Sequence, residues 1–562
     1  MRALTYTAVV LSIVFVACGG GGGNDGSSGS SGVGPGDDGG GLPDGGGPDA
    51  DGGGSLPFNG SCGVTKKGTA GLLIQGTVLA PTGPLTGEVL IDAAGTITCV
   101  DKSCAAAPGF AAASVLACPD GVISPSLINS HDHTEYNTAA PVAHGTTRWM
   151  HRSGWRTGAG GEPKLVEPKR TSDVTTIAAA ELRFVLGGAT TVNGSGAAPG
   201  LMRNVASRTK ADLEGLTAVG SFFDTFPLGD TAGGLLTTGC GYPKVRTAAA
   251  AFATGGAYSP HISEGINAAA ENEFACLKDT LVTSNTAIIH AVGLNATDIS
   301  VIKTANAKVI WSARTNIDLY GNTAPVSVLK NMGVTIGLGT DWLASGSMNM
   351  LRELACVDSL NQKYFNKAFD DRAIFEMATK GSAAALKVDA QIGELAPGKL
   401  ADIAIFASTS KKEYRAVIEA GVEDVLLVLR GGKPLYGEGG IIDALQAGCS
   451  DLAVCSSKKK VCIDTPGVTL AAIQAVAAAS YPLFFCKTEA PKGEPSCVPY
   501  RDTYPLGTSA TDRDGDGVPD ATDNCPDVFN PPRGLDGTAQ ADVDADNFGD
   551  ACDLFPLDAA KH

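Results

Sequence analysis

The sequence has little positive charge and few histidines. Its 42 lysines and arginines are outnumbered by 59 aspartates and glutamates, which gives a formal net charge of -17. Such a charge repels phosphate backbones and anionic lipid heads, so we expect no nucleic-acid partner and no electrostatic binding to membranes. Divalent cations are the natural partners of such an acidic chain. Because only seven histidines are present, any group of them that the fold brings together is informative.

Near its first residues the sequence has no hydrophobic run long enough to span a bilayer comfortably. The apolar residues 8–17, AVVLSIVFVA, match the apolar region of a secretory signal instead. The run ends in FVAC, which resembles a bacterial lipobox with phenylalanine in place of the usual leucine. The resemblance implies a lipoprotein signal peptide over residues 1–17, lipid on Cys18 and, because Gly19 follows, transport to the outer membrane. An ordinary cleaved signal is the alternative.

We therefore expect an exported protein, lipid-anchored at the outer membrane or cell surface of a Gram-negative bacterium, with no other membrane contact. Residues 18–57 are almost all glycine, serine, aspartate and proline. This composition buries too little apolar surface to fold, so we predict a flexible tether. Fifteen cysteines in an exported chain favour disulfides over thiol catalysis. Lipidation of Cys18 would leave an even number of them.

Residues 441–505 form a cysteine-rich segment around an alanine-rich run, VTLAAIQAVAAASYPLFF. Gln474, Ser480 and Pro482 interrupt this run, so we predict a buried helix stapled by disulfides rather than a membrane span. The segment holds an odd number of cysteines: Cys449, Cys455, Cys462, Cys486 and Cys497. One of them needs a partner elsewhere, for which the candidates are Cys62, Cys99, Cys104 and Cys118.

Residues 506–562 carry aspartates at alternate positions. The pattern DxDxDGxxD begins at Asp512, and a similar spacing returns at Asp542. Alternate carboxylates on a turning loop suit Ca²⁺, a hard ion that prefers oxygen ligands. Together with DNCP and GDACD, the stretch resembles a thrombospondin type 3 repeat, although PPR at 531–533 and NF at 547–548 depart from its pattern. A solvated acidic tail is the alternative.

The resemblance implies several bound Ca²⁺ ions and a disulfide between Cys525 and Cys552. The implied calcium ligands are Asp512, Asp514, Asp516, Asp520, Asp523, Asp542, Asp544, Asp546 and Asp550.

Short apolar alternations with glycine-rich turns fill residues 58–122, as in LLIQGTVLAP, and return in residues 391–440. They predict antiparallel strands in a small β-domain that is split into two parts. Over residues 123–390, strand-like runs such as TAIIHAV and GVTIGLGTD alternate with helix-like ones. This predicts an α/β fold on a parallel sheet, for which a TIM (β/α)8 barrel is the economical arrangement. The fourth barrel strand is not evident, because no convincing run lies between Asp224 and Gly256.

Four of the seven histidines stand at the ends of these strand-like runs. His131 and His133 follow the first as HDH, and alternate residues of a strand face the same side. His261 follows a short run, His290 ends AIIH and Asp341 ends GVTIGLGTD. Barrel enzymes keep their active sites at the carboxyl ends of their strands, so we expect five side chains of metal-ligating type at one rim.

In this order the motifs resemble those of the amidohydrolase superfamily. SPSLINSHDH stands for PGLxNxHxH, HISE for HxxE and GLGTD for GTD. WSARTNIDLYGNTAPV resembles the loop after strand six, and the likeness covers roughly residues 70–440. It implies a hydrolase barrel wrapped by a urease-like composite β-domain, as in deaminases and imidazolonepropionases.

The same resemblance implies roles for the strand-end residues. The implied ligands of a divalent metal are His131, His133, His261 and Asp341. Zinc is the expected ion, and iron or manganese also accept histidine and aspartate. Asp341 would also accept a proton from water, Glu264 would carry protons to a leaving nitrogen, and His290 would orient the water or polarise the substrate. Members with two ions use a lysine at the end of strand four, and none is evident, so one ion is expected.

Two further segments are expected to shape specificity. The segment TTRWMHRSGWRTG after the first strand predicts a long loop over the barrel mouth. The second comprises the loop that begins WSART and the residue after Asp341, which offer aromatic side chains and an arginine. An aromatic wall with an arginine donor suits a planar polar ring, although packing explains such side chains equally well. The tentative substrate contacts are Arg314, Asn316, Tyr320 and Trp342.

We therefore expect a hydrolase that attacks a C–N bond of a small cyclic substrate, by deamination or by opening of a cyclic amide. A dehalogenating or linear-amide hydrolase of the same superfamily is one alternative. A calcium-dependent surface adhesion protein with a non-catalytic barrel is another. The sequence carries no signal for the oligomeric state.

Overall fold

The structure, a computed structural model, describes residues 62–206, 209 and 211–562. The predicted signal peptide, Cys18 and the predicted tether lie outside these residues. The strands are β1 Gly63–Lys66, β2 Leu72–Ala80, β3 Gly83–Ile91, β4 Ile97–Asp101, β5 Ser114–Pro125, β6 Leu127–Asp132, β7 Ala189–Gly194, β8 Arg203–Asn204, β9 Phe222–Asp224, β10 Tyr258–Ile262, β11 Ala287–His290, β12 Lys308–Trp311, β13 Ile336–Leu338, β14 Ile403–Ala407, β15 Val425–Arg430, β16 Lys433–Glu438, β17 Ser450–Val454 and β18 Ser457–Val461.

The helices are α1 Arg152–Thr157, α2 Val174–Leu186, α3 Ala248–Ala251, α4 Ala268–Ala275, α5 Lys278–Leu281, α6 Ala296–Thr304, α7 Ala313–Tyr320, α8 Val326–Asn331, α9 Met350–Lys363, α10 Asp371–Met377, α11 Lys380–Ala385, α12 Glu413–Ile418, α13 Gly439–Leu445 and α14 Leu470–Ala479. Several begin at the residue types that satisfy free backbone N–H groups. Asp173 accepts from Thr176 N before α2, and Asn295 forms a capping box before α6.

One mixed sheet joins the two ends of the predicted barrel region. Its order is β17-β18-β16-β15-β14-β5-β2-β3-β4, and β1 pairs with β5. The pairing of β14 with β5 brings the strands before the barrel region against those after it. The sheet also extends past the predicted boundary at residue 440, because the hairpin of β17 and β18 adds to β16. The sequence does not predict β18, because three of its five residues are lysines. One of them, Lys459, is buried, and its Nζ donates to Val425 O at 2.5 Å.

Strands β6 to β13 are parallel and form two sheets, ordered β6-β7-β8 and β13-β12-β11-β10-β9. Few backbone hydrogen bonds cross the two seams. At one, Asp341 N donates to His131 O at 3.0 Å and His133 N donates to Asp341 O at 2.5 Å; at the other, Ser221 N donates to Val205 O at 2.6 Å. In the described residues the pairing leaves two sheets, so the structure is α/β, and closure into a TIM barrel stays a prediction.

The strand that the sequence does not show is the third of this series, not the fourth. The fourth is β9, the three residues FFD, which end at Asp224. The third, β8, has only two residues, too few to produce an apolar pattern. One of them, Arg203, is buried and paired with Asp402 at 2.8 Å. Because β12 is therefore the seventh strand, the segment beginning WSART follows strand seven rather than strand six.

All fourteen described cysteines are paired. Cys525 is bonded to Cys552, as the repeat implied. The fifth cysteine of the cysteine-rich segment, Cys497, pairs with Cys356 of α9 and not with any of the four candidates named from the sequence. Cysteines far apart in sequence give no signal of proximity, and those four candidates pair among themselves. The remaining pairs are Cys62–Cys118, Cys99–Cys104, Cys240–Cys276, Cys449–Cys462 and Cys455–Cys486.

None of the described helices is both long and apolar enough to cross a bilayer. The alanine-rich run forms α14, which buries Leu470, Ile473 and Ala477. It packs against α2, so its apolar face contacts the rest of the protein. After α14 the chain runs to residue 562 in turns and loops.

Candidate metal centre and active-site cavity

The five strand-end side chains come from four parallel strands. His131 lies on β6 and His133 just after it, His261 on β10, His290 at the end of β11, and Asp341 after β13. Parallel strands present their carboxyl ends at one edge, and side chains at those ends therefore meet. Gly339 makes the approach of the last strand possible, because a Cβ there would lie 2.6 Å from the Cβ of His131.

The ligand atoms of these side chains converge. His131 Nε2 lies 2.9 Å from Asp341 Oδ1, and His133 Nε2 lies 3.7 Å from the same oxygen. The Nε2 atoms of His133 and His261 are 3.2 Å apart. One atom each of His131, His261, His290 and Asp341 lies within 4.8 Å of the others. The structure thus brings together all four predicted metal ligands and adds His290 to them.

The electrostatics of the cluster fit a cation. Burial, and then repulsion from His290, holds the pKa of His131 well below its usual value. Burial and neighbouring charges lower the pKa of His133 to about 3. His261 Nδ1 donates to Asp224 O at 3.2 Å, which leaves the lone pair of its Nε2 facing the cluster. Neutral imidazoles converging beside a carboxylate are the donor set of a zinc-type site.

Helix α7 holds three of the site residues in place. Thr315 Oγ1 donates to Asp341 Oδ2 at 2.9 Å, and His290 Nδ1 donates to Asn316 Oδ1 at 3.2 Å. The third contact is made by Tyr320, one turn further along the helix. Because Nδ1 of His290 keeps its proton to donate to Asn316 Oδ1, the unprotonated Nε2 of that imidazole faces the site.

Glu264 lies in a buried hydrogen-bond network beside the cluster. Tyr320 Oη donates to Glu264 Oε1 at 2.7 Å, and Trp155 Nε1 donates to Tyr320 Oη at 2.9 Å. Glu264 Oε2 lies 3.5 Å from His290 Nε2 and 4.0 Å from Arg152 NH1. A carboxyl group so placed is able to exchange a proton with a neighbour or with a bound molecule in the cavity.

The backbone is strained where these side chains are presented. Ser263, His290 and Asp341 have φ values of 57°, 73° and 66°, in the left-handed region that residues other than glycine rarely adopt. All three follow or end parallel strands of the site. Such conformations cost on the order of 1–3 kcal/mol each and persist only where the surroundings enforce them.

A cavity of about 430 Å³ opens onto the cluster. His133, His261, His290, Asp341 and Glu264 line its floor. Its walls carry four aromatic and four arginine side chains: Tyr136, Trp155, Phe226, Trp342, Arg152, Arg156, Arg170 and Arg246. The ring of Trp342 lies 5.4 Å from that of Trp155 and 6.1 Å from that of Tyr136. The cavity therefore joins the polar cluster to an aromatic wall.

Residues 247–435 match the model of the Amidohydrolase family, and this stretch includes His261, Glu264, His290 and Asp341. This part of the chain is therefore similar to the amidohydrolase family. It is also similar to two curated proteins named 5-methylthioadenosine/S-adenosylhomocysteine deaminase. The protein of Teredinibacter turnerae is 33% identical over 126 residues, which are 22% of this chain and 28% of that protein. That of Thermococcus kodakarensis is 38% identical over 122 residues, or 21% and 28% of the two chains.

Among solved structures, this chain is similar to a triazine hydrolase variant. The likeness covers 65% of this chain and 94% of that chain, with 20% sequence identity and a TM-score of 0.50. At this identity the likeness concerns the fold alone. The matches to the curated deaminases span less than a third of their length.

The tentative substrate contacts are not all in this cavity. Trp342 lines it, whereas Asn316 and Tyr320 are buried behind it and hold His290 and Glu264. Arg314 is turned away: its guanidinium donates to Ser347 Oγ at 2.7 Å and to Pro495 O at 2.6 Å. These bonds occupy Arg314 in packing against the cysteine-rich segment, so it is not available to a molecule in the cavity.

The segment after β6 does cover the cavity, partly as the helix α1 rather than wholly as a loop. Trp155 and Arg156 of α1 line the cavity. Two wall residues that the sequence did not indicate are Asp224 and Arg246, whose side chains form two hydrogen bonds of 2.6 and 2.9 Å. The end of the FFD run marks Asp224 as a strand-end carboxylate, but nothing in the sequence marks Arg246 as its partner.

The C-terminal aspartates form two further clusters outside the cavity. Asp512, Asp514 and Asp516 each offer an oxygen within 4.8 Å of the others, and a second such group is Asp542, Asp544 and Asp546. Burial and repulsion from Asp516 raise the pKa of Asp514 to about 9. Asp520 is paired with Arg513 at 3.0 Å, and Asp550 Oδ1 accepts from Val543 N at 2.8 Å. Buried carboxylate oxygens of the repeat without a hydrogen-bond partner are Asp514 Oδ2, Asp523 Oδ2, Asp542 Oδ1, Asp544 Oδ2, Asp546 Oδ2 and Asp553 Oδ2. Such oxygens fit a hard divalent cation.

Proposed function

We propose that this chain is a metal-dependent hydrolase that acts on a C–N bond of a small cyclic substrate, and that hydrolytic deamination is its reaction. The observation that carries the proposal is the convergence of His131, His133, His261 and Asp341 beside Glu264 at the floor of one cavity. The partial matches to proteins named as deaminases support deamination over other hydrolyses.

A divalent ion held by these four side chains would supply an acidified water, since such ions lower the pKa of bound water to about 7. The chain's own groups then handle protons. Asp341 is placed to take a proton from water at its carboxylate, while Thr315 fixes its other oxygen at 2.9 Å. Glu264, whose Oε2 faces His290, is placed to carry a proton to a leaving nitrogen. His290 Nε2 orients the attacked group, because its Nδ1 is engaged by Asn316.

One transition-metal ion fits this site better than two. The strand that would supply a bridging lysine is β9, whose residues are Phe222, Phe223 and Asp224. The Phe223 ring lies 5.1 Å from the ring of His133 and 5.3 Å from that of His261. An apolar ring therefore packs where a second ion would need a ligand. Zinc is the ion we propose, and iron or manganese would suit the same ligands.

The shape and lining of the cavity support a planar substrate. Trp155, Trp342 and Tyr136 form an aromatic wall, and flat rings stack or pack edge-on against such walls. The Arg156 guanidinium lies 4.3 Å from the centre of the Phe226 ring, and its NH1 is buried without a hydrogen-bond partner. A heterocycle with a polar edge would pack against the aromatic wall and accept a hydrogen bond from Arg156 NH1.

Metal analysis and a substrate panel test the proposal together. We expect about one zinc-type ion per purified chain, and release of ammonia from amino-substituted heterocycles that stops on chelation. The His131→Ala variant should lose both, whereas His144→Ala is the matched control, because His144 pairs with Asp318 at 2.7 Å and lies outside the cavity.

The products separate the alternatives. Release of halide or of a linear amine instead of ammonia would indicate the dehalogenating or amide-cleaving hydrolase. A chain that binds calcium but no stoichiometric transition metal, with no activity to lose on changing His131, would support the adhesion protein.

We also propose that the C-terminal repeat binds calcium and that the protein is an outer-membrane lipoprotein. The unpartnered carboxylate oxygens support the first proposal, and isothermal titration with Ca²⁺ at constant free zinc tests it. The FVAC sequence supports the second. Labelled palmitate should be incorporated into the wild-type protein and not into Cys18→Ser, and fractionation should place it in the outer membrane.

A further inference from the structure

The C-terminal repeat is packed against the loops that carry the candidate catalytic residues. Arg533 is buried, and its NH1 donates to Val292 O at 3.1 Å and to Leu294 O at 2.8 Å. These carbonyls belong to the loop that follows His290. Asp536 holds the guanidinium in two hydrogen bonds of 2.7 and 3.0 Å, so that its direction is fixed.

Two more contacts reach the loops on either side. Leu535 N donates to Ile266 O at 3.1 Å, and Ile266 lies two residues after Glu264. Arg501, which precedes the repeat, donates from NH1 to Tyr320 O at 2.7 Å. Tyr320 is the residue whose hydroxyl binds Glu264. The C-terminal segment therefore contacts the backbone next to Glu264, Tyr320 and His290.

Arg533, which makes the first of these contacts, lies where the sequence departs from the repeat pattern. PPR at 531–533 has no counterpart in that pattern. The loop that contains it is tied to the aspartate clusters at both ends. Asn530 N donates to Asp516 Oδ2 at 3.3 Å, and Gln540 Nε2 donates to Asp516 Oδ2 at 2.9 Å and to Asp523 Oδ1 at 2.7 Å.

We propose that Arg533 and Arg501 are positioning residues for the hydrolase site, and that cation binding by the repeat keeps Arg533 in place. This inference rests on the proposed function for its effect on turnover. Asp514 and Asp516 are buried carboxylates on one loop, and like charges at short range repel unless a cation lies between them. Without the cation the loop between Asn530 and Gln540 loses a fixed anchor, and Arg533 loses its hold on the loop after His290.

Hydrogen exchange tests the coupling without any substrate. Gly293 N donates to Ser263 O at 2.9 Å, so exchange in peptides covering 263–267 and 287–295 reports on both loops. With free zinc buffered, removal of Ca²⁺ should speed their exchange by about tenfold or more, as should Asp514→Asn in the presence of Ca²⁺. Peptides of the β2–β3 hairpin are the internal control, and metal analysis must show that zinc is retained. Equal exchange in all states would overturn the proposal.

Variants then link the coupling to turnover. Arg533→Gln and Arg501→Gln should lower kcat by about 10- to 100-fold with little change in KM, because small misplacement of catalytic groups costs rate. Arg372→Gln is the matched control: Arg372 also donates to a backbone carbonyl, Pro81 O at 2.7 Å, far from the cavity. In Arg533→Gln, Ca²⁺ should no longer affect exchange in 287–295.

The outcomes distinguish the two proposals. If no substrate is turned over but exchange responds to Ca²⁺ and to Arg533→Gln, the coupling stands and the proposed function fails. If the variants lose activity and their exchange stays as in the wild type, or if kcat is unchanged in both variants, the positioning role is wrong. Circular dichroism and the melting temperature show whether each variant is folded.

Discussion

The hydrogen bond from Thr315 to Asp341 should set the affinity of the metal centre. Thr315 Oγ1 donates to Asp341 Oδ2 at 2.9 Å, and both side chains are buried. Valine has nearly the shape of threonine but no hydroxyl, so Thr315→Val leaves that carboxylate oxygen without this donor. A hydrogen bond to a charged group contributes about 1.5–3 kcal/mol. At about 1.4 kcal/mol per factor of ten, this is a loss of about 10- to 100-fold in zinc affinity.

Competition with a chromophoric zinc chelator at fixed pH and fixed Ca²⁺ measures the loss. Thr323→Val is the matched control, because Thr323 Oγ1 accepts from Trp311 Nε1 at 2.6 Å in the same buried region but binds no site residue. We expect the control to lower the melting temperature and to leave zinc affinity unchanged. If Thr315→Val binds zinc within twofold of the wild type, Asp341 is not a ligand oriented by this bond.

Three further predictions follow from the described contacts. Glu264→Gln should lower kcat by about 10²- to 10⁴-fold while metal content is retained, since the amide cannot exchange the proton. Burial raises the pKa of Glu181 to about 8, above its value in the unfolded chain. The free energy of unfolding should therefore fall as the pH rises from about 4.5 to 8, by at most about 1.4 kcal/mol per pH unit. Chemical denaturation of Glu181→Gln should show a shallower dependence on pH. Replacing Cys356 and Cys497 together by serine should cost about 2–4 kcal/mol in the same assay, whereas an unchanged denaturation midpoint would contradict a stabilising disulfide.

Much of the site could be predicted because a polar residue at the end of an apolar run marks the end of a strand. His131, His290 and Asp341 each terminate an apolar run, and parallel strands bring such ends together without further information. Helix α7 was different. Thr315, Asn316 and Tyr320 each hold one site residue, but on a helix these neighbours share no apolar pattern that would reveal what they contact.

Contacts between distant segments were the part that the sequence concealed. The sequence does not reveal strand β8, because two residues are too few to show an alternation of apolar and polar side chains. Its Arg203 is buried only because Asp402 pairs with it. The Cys356–Cys497 bond and the contacts of Arg314 with Ser347 and Pro495 are of the same kind. Each depends on a partner more than thirty residues away, and pairing at that range follows from the fold rather than from local composition.

The distant contacts hold the backbone in strained conformations at the strand ends. Ser263, His290 and Asp341 hold left-handed conformations that their own residues do not favour. The surroundings must therefore enforce them, and for two of the three the structure shows how. Gly293 N, one residue after the carbonyl that binds Arg533, donates to Ser263 O, which ties the loop after His290 to the loop that carries Glu264. Arg533, from the C-terminal repeat, thus acts on two of the three loops that hold these strained residues, and the effect of its removal should be largest there.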